Sequence, residues 1–445
     1  MPDKLTDYLE QVLAHVRWRR ARPALREELR EHLLEQLEDC RTAGMTEEDA
    51  AAETVRQMGD PAETGAALDG LHRPAPQWGL LALTAALALA GGFLRVWLTA
   101  GWRWDGSDPL RTAEALCLGT VCLLAAYFGD YTTLCRHGRA VYIGILLLSA
   151  CSLALSPNVN GASYYTRYLV EFYPLTYALW LCAWRGMGWT GLAASLLGGV
   201  PLTALALMAP TVWGGVRLMA VGLLLLCMAV CHDWYGVAKK QALTLVCGTA
   251  MLLVFAVAGL VWRGFGRSRL LMALHPELDP MGSGYQAMMV RRALAGARWL
   301  GEGAMGTAYS GYPYEQIVPE GGRSFLLTTA IHQLGWLPFL LLMAATALLV
   351  VWLLRRGMRL KDPMGRTMVL AVAASVGLEA AMAAATNLGF VLWSATFPLL
   401  VGNLNTMVHM ALIGAALSPL REAHLPAWQH GPAFTPAGAE TVSAE

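Results

Sequence analysis

From Trp78 onward the chain carries apolar runs too long and too uniform for the core of a water-soluble protein. Crossing roughly 30 Å of hydrocarbon takes about 20 helical residues, and a helix keeps its backbone groups paired within itself in lipid. Runs of that length centre on residues 78–100, 110–128, 138–156, 167–184, 188–209, 212–232, 241–262, 325–354, 367–391 and 396–417. The pattern predicts an all-α, polytopic membrane protein of about ten transmembrane helices.

Charge separates a second part. Only 15% of the residues are charged, against roughly 25% in a soluble domain. Residues 1–73 nevertheless hold 16 of the 32 acidic side chains. The spacing there predicts a small helical domain. Leu5, Tyr8, Leu9, Val12, Leu13 and Val16 form one apolar stripe, and Leu25, Leu29, Leu33 and Leu37 form a second. Gly44 ends the second helix, Thr46 with Asp49 opens a third as a capping pair, and Asp60-Pro61-Ala62-Glu63 starts a fourth. Residues 74–77 read as a linker, 78–420 as the membrane domain, and 421–445 as a disordered tail.

Orientation follows from the short loops, since Lys and Arg are retained on the cytoplasmic side. No signal peptide precedes residues 1–73, so the amino terminus is expected in the cytoplasm. The loops then predicted inside carry Arg136 and Arg139, Arg185, Lys239 and Lys240, and a group from Arg355 to Arg366. An even number of spans puts both termini in the cytoplasm of a multi-pass plasma-membrane protein, with a long outer loop at residues 263–324. A net charge of +1 argues against a nucleic-acid partner. The nine cysteines form no disulfide framework, and Cys227, Cys231 and His232 read as buried thiols at a helix end rather than a metal site.

Several local motifs fall in one order along the membrane part. Asn158-Val159-Asn160-Gly161-Ala162 follows the third run, and Asp279-Pro280 precedes Gly284-Tyr285-Gln286. Gly301-Glu302-Gly303-Ala304-Met305-Gly306 comes next, then Pro319-Glu320 and Leu334-Gly335-Trp336. Asp362-Pro363-Met364-Gly365-Arg366 and Asn387-Leu388-Gly389 complete the series. With a long outer loop between the seventh and eighth of ten helices, this resembles the SEDS family, the FtsW/RodA/SpoVE group of bacterial division, elongation and sporulation proteins. The charged head is similar to the permease-prefix domain of some Gram-positive membrane proteins, through Gly44-Met45-Thr46 and Met58-Gly59-Asp60-Pro61.

The resemblance implies a glycosyltransferase that polymerises a lipid-linked peptidoglycan precursor beside a class B penicillin-binding-protein-type transpeptidase. Such chemistry needs a base for the acceptor hydroxyl and a cation for the diphosphate. The position of the family's proposed catalytic Asp is Ser324, and a serine has no useful basicity unless activated. Other departures are Tyr164 for a family Arg, Tyr173-Pro174-Leu175-Thr176-Tyr177 without the family Glu and Lys, and Pro210-Thr211 without its Asp. Glu320, four residues earlier, is the alternative base. Arg323 and Arg269 are candidates for the diphosphate because guanidinium forks suit phosphate oxygens, although outer-loop arginines more often pair with lipid headgroups or with nearby carboxylates, here Glu277, Asp279 and Glu302. Tyr285, Gln286 and Asn160 are candidate substrate contacts through the resemblance. No cofactor is expected, and a divalent cation only if the site is catalytic.

Glu171, Arg217, Glu379 and Arg95 lie within spans, where ionisable groups are costly and face a partner or cavity. Arg167, one turn away, is the expected partner of Glu171, and Glu379 with Asn387, Asn403, Asn405 and His409 suggests a polar interior in the last two helices. The expected function is a SEDS-like protein of cell-wall synthesis, weakly active or non-catalytic. The alternatives are an active lipid-precursor polymerase using Glu320, and a permease or sensor whose head binds a cytoplasmic regulator.

Overall fold

A computed structural model of the chain describes residues 1–19, 21–102, 108–159, 161–309, 311–400 and 403–423. Their contacts separate two units, one of Met1–Pro76 with the chain from Arg421, the other Gln77–Leu420. The tail expected to be disordered lies, from residue 424, outside the described residues.

In the first unit α1 (Asp3–His15), α2 (Arg22–Thr42), α3 (Glu47–Met58) and α4 (Pro61–His72) pack on one another. Each has a single apolar face, so the faces meet: Leu5, Leu9, Val12 and Leu13 of α1 with Leu25, Leu33 and Leu37 of α2, closed by Ala50 and Ala51 of α3. The Tyr8 hydroxyl donates to the Met58 carbonyl at 3.0 Å, fixing the end of α3 on α1. Both caps are side-chain caps, Thr46 accepting from the Asp49 N–H at 3.3 Å and Asp60 from the Ala62 N–H at 3.3 Å.

The second unit runs α5 (Trp78–Leu98), α6 (Pro109–Phe128), α7 (Tyr131–Arg136), α8 (Gly138–Leu155), a two-stranded ladder of β1 (Asn158–Val159) and β2 (Ala162–Ser163), and α9 (Thr166–Val170). It continues through α10 (Tyr173–Ala183), α11 (Gly188–Met208), α12 (Val212–Cys231) and α13 (Lys239–Val261). The long intervening segment holds α14 (Arg267–Leu274), α15 (Tyr285–Ala295) and α16 (Tyr314–Ile317). The last helices are α17 (Leu326–Leu334), α18 (Trp336–Met358), α19 (Pro363–Asn387) and α20 (Asn403–Arg421). Eight described helices are long and apolar enough to span a bilayer: α5, α6, α8, α11, α12, α13, α18 and α19.

Burial ranks these helices. In α19 72% of the spanning window is buried and in α12 56%, against 17% in α8 and α13, so α12 and α19 form the centre and α8 and α13 the rim. Small residues let the elements approach, as lipid-immersed helices require. A Cβ on Gly91 of α5 would come within 2.7 Å of the Leu400 Cα, and the Tyr142 hydroxyl donates to the Gly198 carbonyl at 2.6 Å.

Two apolar runs are not single helices. The 325–354 run breaks at Gly335, whose φ of 103° ends α17 and starts α18. The 167–184 run is broken near Pro174, which has no N–H for the Val170 carbonyl. Its main piece, α10, is 11 residues long and almost wholly buried. Cys227 and Cys231 are not the expected buried thiols: Cys227 is half-buried and Cys231 exposed, because Leu218, Val221, Leu225 and Ala229 define the inward face of α12. Among the described residues no group of His, Cys, Asp and Glu is arranged to hold a metal ion.

A fragment of residues 1–76 should show helical circular dichroism, and Leu33→Ala, at a fully buried position, should cost about 2–5 kcal/mol. That loss approaches the whole stability of a domain this small. An unchanged denaturation midpoint would contradict the packing.

Candidate functional site

Ser324 lies in a tight turn just ahead of α17. The Phe325 and Arg323 N–H groups both donate to the Glu320 carbonyl, at 3.1 and 3.0 Å, folding the chain back on itself. Glu320 itself turns the chain at φ 56°, an uncommon conformation for a residue with a side chain. The two side chains are thereby brought together, the Ser324 hydroxyl donating to Glu320 Oε2 at 2.7 Å. Their relation is that of a turn rather than of one helical repeat, since α17 begins only at Leu326.

Asn387, the last residue of α19, holds this turn in place. Its Nδ2 donates to the Ser324 carbonyl at 3.0 Å and to Ala383 at 2.8 Å, while its Oδ1 accepts from the Thr328 N–H at 2.9 Å. The Thr328 hydroxyl donates to the Asn387 carbonyl at 2.9 Å. Every polar atom of the buried amide is thus used. From the other side Thr329 donates to the Gly321 carbonyl at 2.8 Å, and Arg95 of α5 reaches the Gly322 carbonyl at 3.4 Å. Arg95 therefore serves the turn rather than standing alone within its span.

The remaining candidates take different places. The Tyr285 hydroxyl donates to the Ile317 carbonyl at 3.2 Å, which docks the start of α15 on the stretch before Glu320. Gln286, half-buried, follows it on α15, Arg323 is exposed beside Ser324, and Arg269 is exposed on α14. Asn160 lies outside the described residues. Two further arginines of the long segment are engaged within the protein. Arg291 donates to the Ala273 carbonyl at 2.7 Å and the Gly389 carbonyl at 3.2 Å, tying α14 and α15 to the end of α19. Arg292 donates to the Tyr309 hydroxyl at 2.7 Å and lies over its ring. Two N–H and O–H donors of Ser283 hold the Asp279 carboxyl below the usual carboxylate range, and burial pushes the Tyr314 phenol up where it stacks on His332.

A second group of charges lies in the centre of the unit. Arg217 of α12 has no exposed surface. Its Nη1 lies 2.7 Å from Glu171 Oε2 and 2.5 Å from Glu379 Oε2. Glu379 also accepts from Trp213 Nε1 at 2.6 Å and from the Thr396 N–H at 3.2 Å. Glu171 is therefore not the partner of Arg167, as its spacing suggested. Arg167 instead lies 4.8 Å over the rings of Tyr164 and Tyr168 and donates to the Tyr168 hydroxyl. The fully buried Arg217 has the greater need of a carboxylate. Sequence reasoning did not identify Trp213, Thr328 or the Arg217–Glu379 pair, whose members lie 162 residues apart.

The sequence model of a family described as "Cell cycle protein", FtsW/RodA/SpoVE, matches residues 108–393. Among curated proteins the chain is similar to the "Peptidoglycan glycosyltransferase MrdB" of Escherichia coli (strain K12), 29% identical over 27% of this chain and 33% of that protein. It is also similar to a "Probable peptidoglycan glycosyltransferase FtsW" of Idiomarina loihiensis, 26% identical over 49% of this chain and 53% of that one. The matches thus span a third to about half of those relatives' length. In fold it is similar to a chain from a peptidoglycan synthase complex that coordinates polymerization and crosslinking, with TM-score 0.59, 20% identity and coverage of 79% of this chain and 99% of that one. The rod shape determining protein RodA of Thermus thermophilus gives TM-score 0.53 at 18% identity, over 78% and 98% of the two chains.

Asn387→Leu would leave the Thr328 N–H and the Ser324 carbonyl without their partners, at about 1–3 kcal/mol for each buried group. The thermal midpoint of the detergent-solubilised protein should fall clearly, while the exposed Arg269→Ala should leave it unchanged. Equal midpoints would show that the turn does not hang from α19.

Proposed function

The chain belongs to the FtsW/RodA/SpoVE family of cell-cycle proteins and is an integral membrane protein, and we propose that it binds a lipid-linked peptidoglycan precursor beside the Ser324 turn with little or no polymerase turnover of its own. It acts in cell-wall synthesis during division, elongation or sporulation, alongside a crosslinking partner of the class B transpeptidase type. Support for the partner comes from the similarity to a chain of a synthase complex that joins polymerization with crosslinking. In this reading both termini lie in the cytoplasm, and the segment carrying Tyr285 and Glu320 faces the outer surface where such precursors are used.

One observation carries the non-catalytic reading. Where the resemblance calls for an acid there is Ser324, and its hydroxyl donates to Glu320. A neutral hydroxyl is too weak a base to take the proton of an acceptor sugar, and the only basic group in this contact is the Glu320 carboxylate. Binding asks less of the site. The exposed Arg323 adjoins the turn and offers a planar fork to a diphosphate.

The same hydrogen bond favours a second reading, in which Glu320 replaces the missing acid. It brings a carboxylate oxygen to 2.7 Å from the Ser324 hydroxyl, within the range a general base needs if the acceptor displaces that hydroxyl. The two readings separate in a purified-protein assay with lipid-linked precursor and a partner transpeptidase. Wild-type protein and Glu320→Gln should both lack turnover, and Arg323→Ala should weaken precursor binding. A true base contributes about 10²–10⁴-fold in rate. Robust wild-type polymerisation abolished by Glu320→Gln would establish the second reading and refute the first.

A further inference from the structure

Four ionisable side chains from four segments meet in the middle of the membrane unit: Glu171 between α9 and α10, Arg217 on α12, Glu379 on α19 and His409 on α20. Arg217, Glu379 and His409 are buried and Glu171 nearly so. Both carboxylates use the same guanidinium nitrogen, Nη1, while Arg217 Nε and Nη2 have no hydrogen-bond partner among the described residues. Sharing one nitrogen keeps the two Oε2 atoms within about 5 Å of each other, where like charges repel strongly in a medium of low dielectric.

The charges do not balance. Two carboxylates against one guanidinium leave a unit negative charge, which a membrane interior tolerates poorly. The imidazole beside the carboxylates adds a further group able to hold a compensating proton. His409 Nδ1 is 2.9 Å from the Asn405 carbonyl, an atom that can only accept, so Nδ1 carries a hydrogen. In a neutral ring Nε2 would then present a lone pair, and it lies 3.8 Å from Glu171 Oε2, also an acceptor. At that distance the two atoms share no hydrogen bond, so the imidazole is a nearby acceptor for the compensating proton rather than its fixed seat.

We propose that Glu171, Arg217, Glu379 and His409 form a proton-binding site within the membrane, holding one exchangeable proton within the group. With that proton the group is neutral whichever member bears it. Without it Glu171 and Glu379, on different segments, repel across Arg217, and a second proton makes the site positive. One proton is therefore the stable occupancy. Because Glu379 and Asn387 share α19, release of the proton loads the helix that holds the Ser324 turn. The site does not depend on whether the chain polymerises a precursor.

The linkage has a definite sign. A folded state that binds a proton the unfolded chain has released is stabilised at lower pH and loses that stability as pH rises. The test is the thermal midpoint of the full-length protein in detergent from about pH 7.5 upward, where unfolded His and Glu are largely deprotonated. Wild type should fall by on the order of 2 °C per pH unit relative to Glu171→Gln. In Glu171→Gln the remaining Glu379–Arg217 pair is neutral with no proton, and the midpoint should lose this dependence. Glu379→Gln leaves the neutral Glu171–Arg217 pair and should behave alike, so either variant suffices if the other does not fold. The same pH profile in wild type and a folded Gln variant would overturn the site.

Discussion

A guanidinium sealed from both water and lipid sets the terms for the membrane unit. Removing one charge from water costs several kcal/mol even after relaxation, and leaving it unpaired is worse. Arg217 is therefore compatible with folding only where carboxylates reach it. Glu171 arrives from the joint of α9 and α10, and Glu379 from α19. Three segments that the chain visits far apart are held at one point. Trp213 and the Thr396 N–H, both on Glu379, add α12 again and the stretch before α20. This explains why α12 and α19 are the most buried spans while α8 and α13 face outward.

From that anchor the candidate site follows by rigid connection. Glu379 and Asn387 lie eight residues apart on α19, roughly 12 Å along the helix at 1.5 Å per residue. The lower of these two groups fixes the helix in the unit, and the upper one holds the Ser324 turn by its amide. Arg291 pins the long segment to the same helix end through the Gly389 carbonyl. The turn is thus placed by a central helix rather than by the loop that contains it. A site organised in this way keeps its geometry whichever side chain stands at position 324.

Much of this was legible in the sequence wherever the deciding physics is local. The head's stripes, from Leu5 to Val16 and from Leu25 to Leu37, pack as their periodicity requires, and Thr46 and Asp60 cap the helices they precede. The all-helical membrane architecture followed from run length alone. The breaks near Pro174 and at Gly335 were less visible, because hydropathy does not register a missing donor or a positive φ. What one sequence cannot express is which helices become neighbours. Arg167 was the nearest basic residue to Glu171 along the chain, yet it turns to two tyrosines while Arg217 takes the carboxylate. The Thr328–Asn387 bonds, across 59 residues, were hidden for the same reason. The Ser324–Glu320 contact was within reach of sequence, but its geometry depends on the Glu320 backbone at φ 56°.

The central claim is that Arg217 is a buried charge held by two carboxylates and that the unit is assembled on it. Its most direct measurement compares unfolding of Arg217→Met with that of the triple variant Glu171→Gln/Arg217→Met/Glu379→Gln in detergent. The single variant strands two buried carboxylates and should lose about 3–5 kcal/mol, whereas the triple variant removes all three charges and should recover most of that loss. An Arg217→Met protein as stable as wild type, or a triple variant less stable than the single one, would contradict the account.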